Sequence, residues 1–469
     1  MPTILGANSV RDTGFNVDNS YFIGADAKTS VTNTTPTNDK IFTISFWIKI
    51  HEFPTSGGDR PIFGYFSDSN NQAYMYLRND GTLGIFENES GSTKLDFRTS
   101  QVLRDPSNFY NIIMAIDTSQ GTASNRLKLY INGSQVTSFN AENYPDQNYS
   151  SQWNENSLVF HVGGTATNDG NHIKGTFCEF AFIDGQQLDQ TSFGEFDEDT
   201  PTAFKPISLS TLTFGNNGFF LEFKETGTSA NSSGIGADTS GNDRHHSVTN
   251  IAATDQRIDT CTNNFCTWSS ITPRSSDITL SEGNLDITMG GTSRGIFGTI
   301  AVTTGKWYYE AKWVSGNFFE AGIVATATMN DNDDVWSGKT GAFVYKEDGN
   351  IRVNGSTSAS VNSLSTGDIV GVAIDMDNNF VYFSKNGTFQ NSGNPASGSS
   401  GTGGFSISAN PEYIPAGAPT QAVLSGNFGS PSFSISSGNS DSEGFGNFEF
   451  SVPSGYFALN TKNLSEYGG

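Results

Sequence analysis

The chain has 469 residues, about three domains by length, and its 48 Asp and Glu against 25 Lys and Arg leave a net charge of −23. A surface that acidic disfavours nucleic acid, and no basic stripe interrupts it. No apolar run approaches the roughly 20 residues that span a bilayer as a helix, and the opening MPTILGANSVRDTG reads as lacking a secretory signal. Hydrophobic residues make up only 35%, yet 37 Phe, 15 Tyr and 6 Trp are present, so a few large side chains must fill the cores. Gly (52) far outnumbers Pro (15), and Asn, Ser, Thr and Asp are abundant, which is the turn chemistry of many short strands. Stretches with helical spacing are missing, so helices should be few and short.

In chain order, the first predicted strands are IFTISFWIKI (41–50) and QAYMYLRNDGTLGIFEN (72–88), the latter turning at Asn79-Asp80-Gly81. NIIMAIDTSQGTASNRLKLYINGSQV (111–136) follows, with one strand ending in Ala-Ile-Asp and a second ending in Asn-Gly. SLVFHVGG (157–164) and GTFCEFAFIDG (175–185) complete this set, and QQLDQTSFGEF (186–196) reads as a short helix or turn. Residues 206–271 read as a connecting segment with one extra strand, GNNGFFLEF (215–223), and a flexible loop over 225–242.

Further strands are expected in DITLSEGNLDITM (277–289), KWYYEAKWV (306–314), FEAGIVAT (319–326), GAFVYKEDGNIRVNG (341–355) and PSGYFALN (453–460). Within this set GDIVGVAIDMDNNFVYFSKNG (367–387) repeats the plan of 111–136, again with Ala-Ile-Asp before the turn and Asn-Gly after it. Period-2 alternation gives Ile112, Met114 and Ile116 one buried face in the first copy, and Val370, Val372 and Ile374 one in the second. The expectation is an all-β protein: two antiparallel, jelly-roll-like β-sandwiches in tandem, at 1–205 and 272–469, joined by 206–271.

GKWYYEAKW (305–313), the 367–387 hairpin, GNFG (426–429) and PSGYFALNTKNL (453–464), in that order, resemble the SPRY (B30.2-like) sandwich. FTISFWIKI, the 111–117 strand and LYING (129–133) resemble concanavalin A-like laminin-G sandwiches. The two modules together, with DTSGNDRHHSVTNI (238–251) and TNNFCTW (262–268) between them, resemble virion proteins of tailed phages, marine ones especially. That resemblance implies a non-enzymatic virion protein, made without an export signal, serving as tail fibre, head fibre or capsid decoration. It also implies other virion proteins as partners, a homo-oligomer, and adhesion to host-surface glycan. Fold alone does not prove function.

Candidate sites are sparse. GTSRG (291–295) has the G-x-S-x-G form, but IFGTIAV after it reads as a strand where a nucleophile elbow needs a helix, so Ser293 is not expected to be catalytic. SGKT (337–340) lacks the first glycine of a phosphate loop and follows acidic residues. The alternative to a binding protein is a polysaccharide depolymerase, whose paired carboxylates would have to come from Glu195-x-Asp197-x-Asp199. The five histidines show no zinc spacing, and no catalytic residue is assigned. Asp331, Asp333 and Asp334 form an acidic loop of the kind calcium binds, but the EF-hand pattern is not met and a solvated acidic turn is the favoured reading. Calcium is the one cofactor the sequence leaves open. Trp336 beside Asn332 and Asp333 is the candidate sugar site, a ring for stacking with polar groups for hydroxyls, set against a Trp336 packed in the core. Trp47, Trp307 and Trp313 read as core. Cys261 and Cys266 could pair across a turn, but the odd count of three cysteines favours free thiols.

Overall fold

The computed structural model describes residues 14–24, 26–54, 58–166, 171–271, 277–291, 294–329, 336–407 and 412–468. The chain divides into two compact units, Thr13–Thr262 and a second that starts at Asn263. Both are antiparallel β-sandwiches, with one short parallel contact in the second, between Lys306–Phe318 and Phe457–Ala458.

In the first unit, one sheet is built around Ile41–Ile50, flanked by Phe109–Asp117 and Gly175–Asp184. The facing sheet runs in the order Phe139–Asn143, Ser92–Val102, Thr82–Glu89, Asn71–Leu77, Arg60–Asp68, Val159–Val162, Lys28–Thr32, Ser247–Thr249. Large rings fill the space between the sheets, as the composition requires. Phe63 meets Phe46 at 5.3 Å and Phe180 at 5.4 Å between ring centres, both edge-on, and Phe180 stacks on Phe219 at 6.0 Å. Such pairs add ~1 kcal/mol each to the area they bury.

Ile112, Met114 and Ile116 lie in this core as expected. The other face of their sheet is not left to solvent. Ile113, Tyr130, Ala181 and Ile183 are covered by Phe193, Leu209, Phe214 and Phe220. Residues 206–262, expected to connect two domains, are therefore part of the first one. Phe219–Leu221 pairs with Gly175–Asp184, Ser247–Thr249 with Lys28–Thr32, and Gln256–Arg257 with Ser20–Ile23. The physical reason is apolar area: each large side chain buried on that face contributes about 2 kcal/mol, which a free linker would forfeit. The stretch 225–242, expected to be flexible, folds back on itself through Ile235 N–H to the Gly227 carbonyl at 2.8 Å, and Ile235 is buried in the core.

The second unit pairs a sheet centred on Lys306–Phe318, Ile369–Asp375 and Thr420–Asn427 with one centred on Glu320–Ala325, Ala342–Lys346 and Tyr413–Gly417. Val370, Val372 and Ile374 face the core, as do Trp307 and Trp313. Here too the outer face is covered: Tyr308, Ala373 and Tyr382 pack under Phe265, Phe448 and Tyr456. Residues 263–268, expected in the connector, belong to this unit, with Cys266 N–H on the Leu459 carbonyl at 2.9 Å and Trp268 fully buried. The short α-helix Thr461–Tyr467 was not anticipated; Asn460 caps it by accepting from Asn463 N–H at 2.9 Å.

Each unit ties its own beginning to its own end. In the first, Val17 and Thr262 are joined twice: Val17 N–H donates to Thr262 Oγ1 at 2.9 Å, which donates to the Val17 carbonyl at 3.0 Å. In the second, Thr461 N–H donates to the Asn264 carbonyl at 2.9 Å.

Candidate functional site

Asp331, Asn332, Asp333 and Asp334 lie outside the described residues, as does Ser293. Trp336 begins a single 3-10 turn, Trp336–Gly338, and its side chain is outside the description too. Ser337, next in line, is fully buried and donates to Glu320 Oε1 at 3.1 Å, an oxygen also paired with Lys346 at 2.8 Å. The start of SGKT is thus folded onto the sheet rather than arranged around a phosphate.

Glu195 and Asp197 do not converge on open space. Lys205, on the partner strand Phe204–Pro206, lies 3.6 Å from one and 3.3 Å from the other. Asp197 also accepts from Asp199 N–H at 3.1 Å and Thr200 N–H at 2.7 Å, which makes it a turn-former. Burial pulls its carboxyl up, but the Thr200 amide and Lys205 outweigh that and hold it below the usual range. His246 is fully buried, bonded to Thr29 Oγ1 at 2.8 Å and edge-on to Phe219 at 4.4 Å; burial pushes it down to about 3. Among the described residues no three His, Cys, Asp or Glu gather as metal ligands.

Among the described residues two surfaces stand out. The first is an open hollow of about 400 Å³ on the second unit, lined by Asn362, Ser363, Lys385, Asn386, Thr388 and Gln390. Its polar atoms already serve the fold. Lys385 donates to the Ser363 carbonyl at 2.8 Å and pairs with Asp368 at 3.0 Å, Asn386 accepts from Ile369 N–H, and Gln390 accepts from Asn362 N–H.

The second surface is the outer face of the first unit's Phe139–Asn143 to Ser247–Thr249 sheet. Ala73, Met75 and Leu77 point into the core, so Tyr74 and Tyr76 point out. The register then sets a row straight across the strands: His161 opposite Gly64, Gly64 opposite Tyr74, Tyr74 opposite Phe86, and Phe86 opposite Asp96. A neighbouring row runs Pro61, Tyr76, Gly84, Arg98. Tyr74 stands 5.3 Å from Tyr76 and 5.9 Å from Phe86, ring centre to ring centre. Tyr74 and Phe86 stay half-buried. Two glycines let the neighbouring residues lie close: the Tyr76 ring covers Gly84 and is itself buried. A Cβ on Gly84 would sit 2.2 Å from Tyr76 Cζ, and Gly64, at φ +146, would meet the Ala73 carbonyl at 2.2 Å.

Charged groups border these rings in opposite pairs. Arg98 forks onto Asp96, Nε to Oδ1 at 3.3 Å and Nη2 to Oδ2 at 3.0 Å, and Arg78 lies 3.8 Å from Asp59 and 3.1 Å from Asp80. Burial, then Asp59 and Asp96, push the Tyr76 hydroxyl up to about 12, and raise that of Tyr74 as well. Both phenols are therefore neutral donors at physiological pH. Aromatic faces beside fixed donors and acceptors, with two guanidinium groups set among three carboxylates, make a surface on which a sugar ring can stack while its hydroxyls bond. The sequence carried a signal for it: in 72–86 both alternating sets, Ala73/Met75/Leu77 and Tyr74/Tyr76, are apolar or aromatic, although only one can face the core.

Residues 24–190 match the family model Laminin_G_3, of the concanavalin A-like lectin/glucanases superfamily, and residues 306–406 match the SPRY domain model. The chain carries a concanavalin A-like sandwich and a SPRY sandwich in tandem. No curated protein matches it. Among solved structures, the SPRY domain of human HERC1 is 15% identical, covering 34% of this chain and 96% of that one, with a TM-score of 0.27. A heptameric SAP-like pentraxin from Limulus polyphemus is 17% identical over 37% of this chain and 79% of its own, TM-score 0.27. Stonustoxin is 17% identical over 34% of this chain and 27% of its own, TM-score 0.26. At such scores these overlaps carry no argument.

Proposed function

We propose that this protein is a non-enzymatic, glycan-adhesive component of a phage particle (a tail fibre, head fibre or capsid decoration) and that the tyrosine-lined face of its first sandwich holds the sugar. The observation that carries the adhesive part is the row Gly64, Tyr74, Phe86, Asp96 with Tyr76 and Arg98 beside it. The particle part rests on the order of the two sandwiches and the segments 238–251 and 262–268 between them.

Binding of the purified chain to a panel of neutral oligosaccharides, read by calorimetry, tests the first part. Tyr74→Ala should weaken binding at least 10-fold, since stacking of one ring is worth about 1.5 kcal/mol; the variant also loses two ring pairs and melts a few degrees lower, so binding is compared well below both midpoints. Equal binding by wild type and Tyr74→Ala rules this face out. Mass spectrometry of purified particles tests the second part, and absence of the chain removes it. Release of reducing ends from a host polysaccharide would favour the depolymerase instead.

A further inference from the structure

Three cysteines are present, and the fold sorts them in a way their spacing conceals. Cys261 and Cys266, five positions apart, fall in different compact units. Cys178 and Cys261, 83 positions apart, meet. Cys178 is fully buried on Gly175–Asp184, opposite Trp47, in a small cluster with Val17 and Trp47 against which the half-buried Cys261 packs. The two side chains share this cluster, and neither thiol is in a disulfide.

The segment that carries Cys261 is fastened on both sides of it. Upstream, Ser20 Oγ donates to the Asp259 carbonyl at 2.7 Å, and buried Lys49 pairs with Asp259 at 3.0 Å. Downstream, Thr262 is bonded twice to Val17. Cys178 is held by the sheet up to the bulge that follows it, where Glu179 takes φ +50. Neither sulfur has to travel far to reach the other.

We propose that Cys178 and Cys261 are a modification site, a dithiol that a small-molecule disulfide of the glutathione class oxidises to a disulfide, stapling the end of the first sandwich to one of its central strands. Cys261, the more accessible, loses its proton and its thiolate attacks one sulfur of the oxidant. The oxidant's S–S bond breaks and its leaving thiolate takes up a proton. Cys178 then loses its proton and attacks Cys261 Sγ in the mixed disulfide, expelling the second small thiol. Two protein thiols are oxidised and one external disulfide is reduced to two thiols. Burial, with Cys178 and Glu179 adding to it, pushes the Cys261 thiol up, so the exchange is slow at neutral pH and speeds as pH rises. That suits a staple set once, after the protein leaves a reducing compartment. The inference is independent of the glycan reading.

The test treats the full chain with oxidised glutathione at pH 8.5, alkylates it under denaturing conditions and maps the peptides. Expected are a peptide pair joined through Cys178 and Cys261, an alkylated Cys266, and an unfolding midpoint raised by about 5–10 °C that falls back on reduction. Cys261→Ser should abolish the rise and Cys266→Ser should leave it. Alkylation of all three cysteines, a mixed disulfide that stops on Cys261, or a link from Cys261 to Cys266 would each overturn the proposal.

Discussion

The two sandwiches use one device for opposite chemical surroundings. Each pins a loop onto its sheet with a buried glutamate. In the first unit Glu87 accepts from Tyr149 Oη at 2.8 Å, Ser151 Oγ at 2.9 Å and Gln152 N–H at 2.7 Å. In the second, Glu310 accepts from Tyr308 Oη, Asn427 Nδ2, Glu449 N–H and Phe450 N–H, all between 2.8 and 3.2 Å. Burial raises both carboxyls, Glu87 to about 7. The difference lies around them. All five histidines of the chain, at 51, 161, 172, 245 and 246, fall in the first unit and none in the second. The first unit also leaves a sheet face carrying half-buried rings, whereas the second covers the outer face of its larger sheet with Phe265, Phe448 and Tyr456. Similar architecture therefore yields one unit that couples to protons through buried imidazoles as well as carboxyls, and one that does so through carboxyls alone.

The largest test of that comparison removes the glutamates. Glu310→Ala strips the acceptor from four donors and should cost the second unit about 3–4 kcal/mol, against about 2–3 kcal/mol for Glu87→Ala in the first. Hydrogen exchange read unit by unit would show each loss confined to its own sandwich; equal losses in both units would break the comparison.

The next test is acid. Burial holds His246 at about 3 and His161 at about 4, and drives His51 well below its usual value. A depressed histidine gives stability that is whole above its unfolded value near 6.5 and drains as pH falls through the folded one. His246 alone should account for about 2 kcal/mol at pH 5, lost from the first unit only and recovered by His246→Asn. Glu87 and Glu179, raised by burial to about 7 and 8, work the other way: their contribution is whole below about 4.5 and drains as pH rises through those values. Denaturant melts at pH 5, 7 and 9, followed by exchange in each unit, would separate the two trends.

The smallest test is Gly84→Ala. The new methyl must displace Tyr76, at a cost of ~1 kcal/mol, and glycan binding should weaken several-fold in calorimetry with no change in the second unit. Unchanged binding would mean Tyr76 takes no part in the face.

Much of this plan is legible from residue types. Ile112, Met114 and Ile116, and Val370, Val372 and Ile374, alternate as sandwich strands must, and they face the cores. What alternation hides is the second covering. Leu209, Phe214 and Phe220 stand among Ser, Thr, Gly and Asn, so their stretch reads as linker although it seals a sheet. The helix Thr461–Tyr467 is too short for a periodic signal. The tyrosine face is visible only once strand register is known, because Tyr74, Phe86, Asp96 and Gly64 come from four strands. Cys178 and Cys261 meet only through topology, and the nearer spacing of Cys261 and Cys266 points the wrong way.

The knots at Val17–Thr262 and Asn264–Thr461 have an evolutionary corollary. A fold whose entrance and exit are adjacent resembles a cassette with both connectors on one edge. It can be excised, duplicated or dropped into a loop of a foreign protein with little rebuilding on either side. Whole sandwiches of this kind can therefore be exchanged by recombination, with the surface of each passing on as a unit rather than being remodelled one side chain at a time.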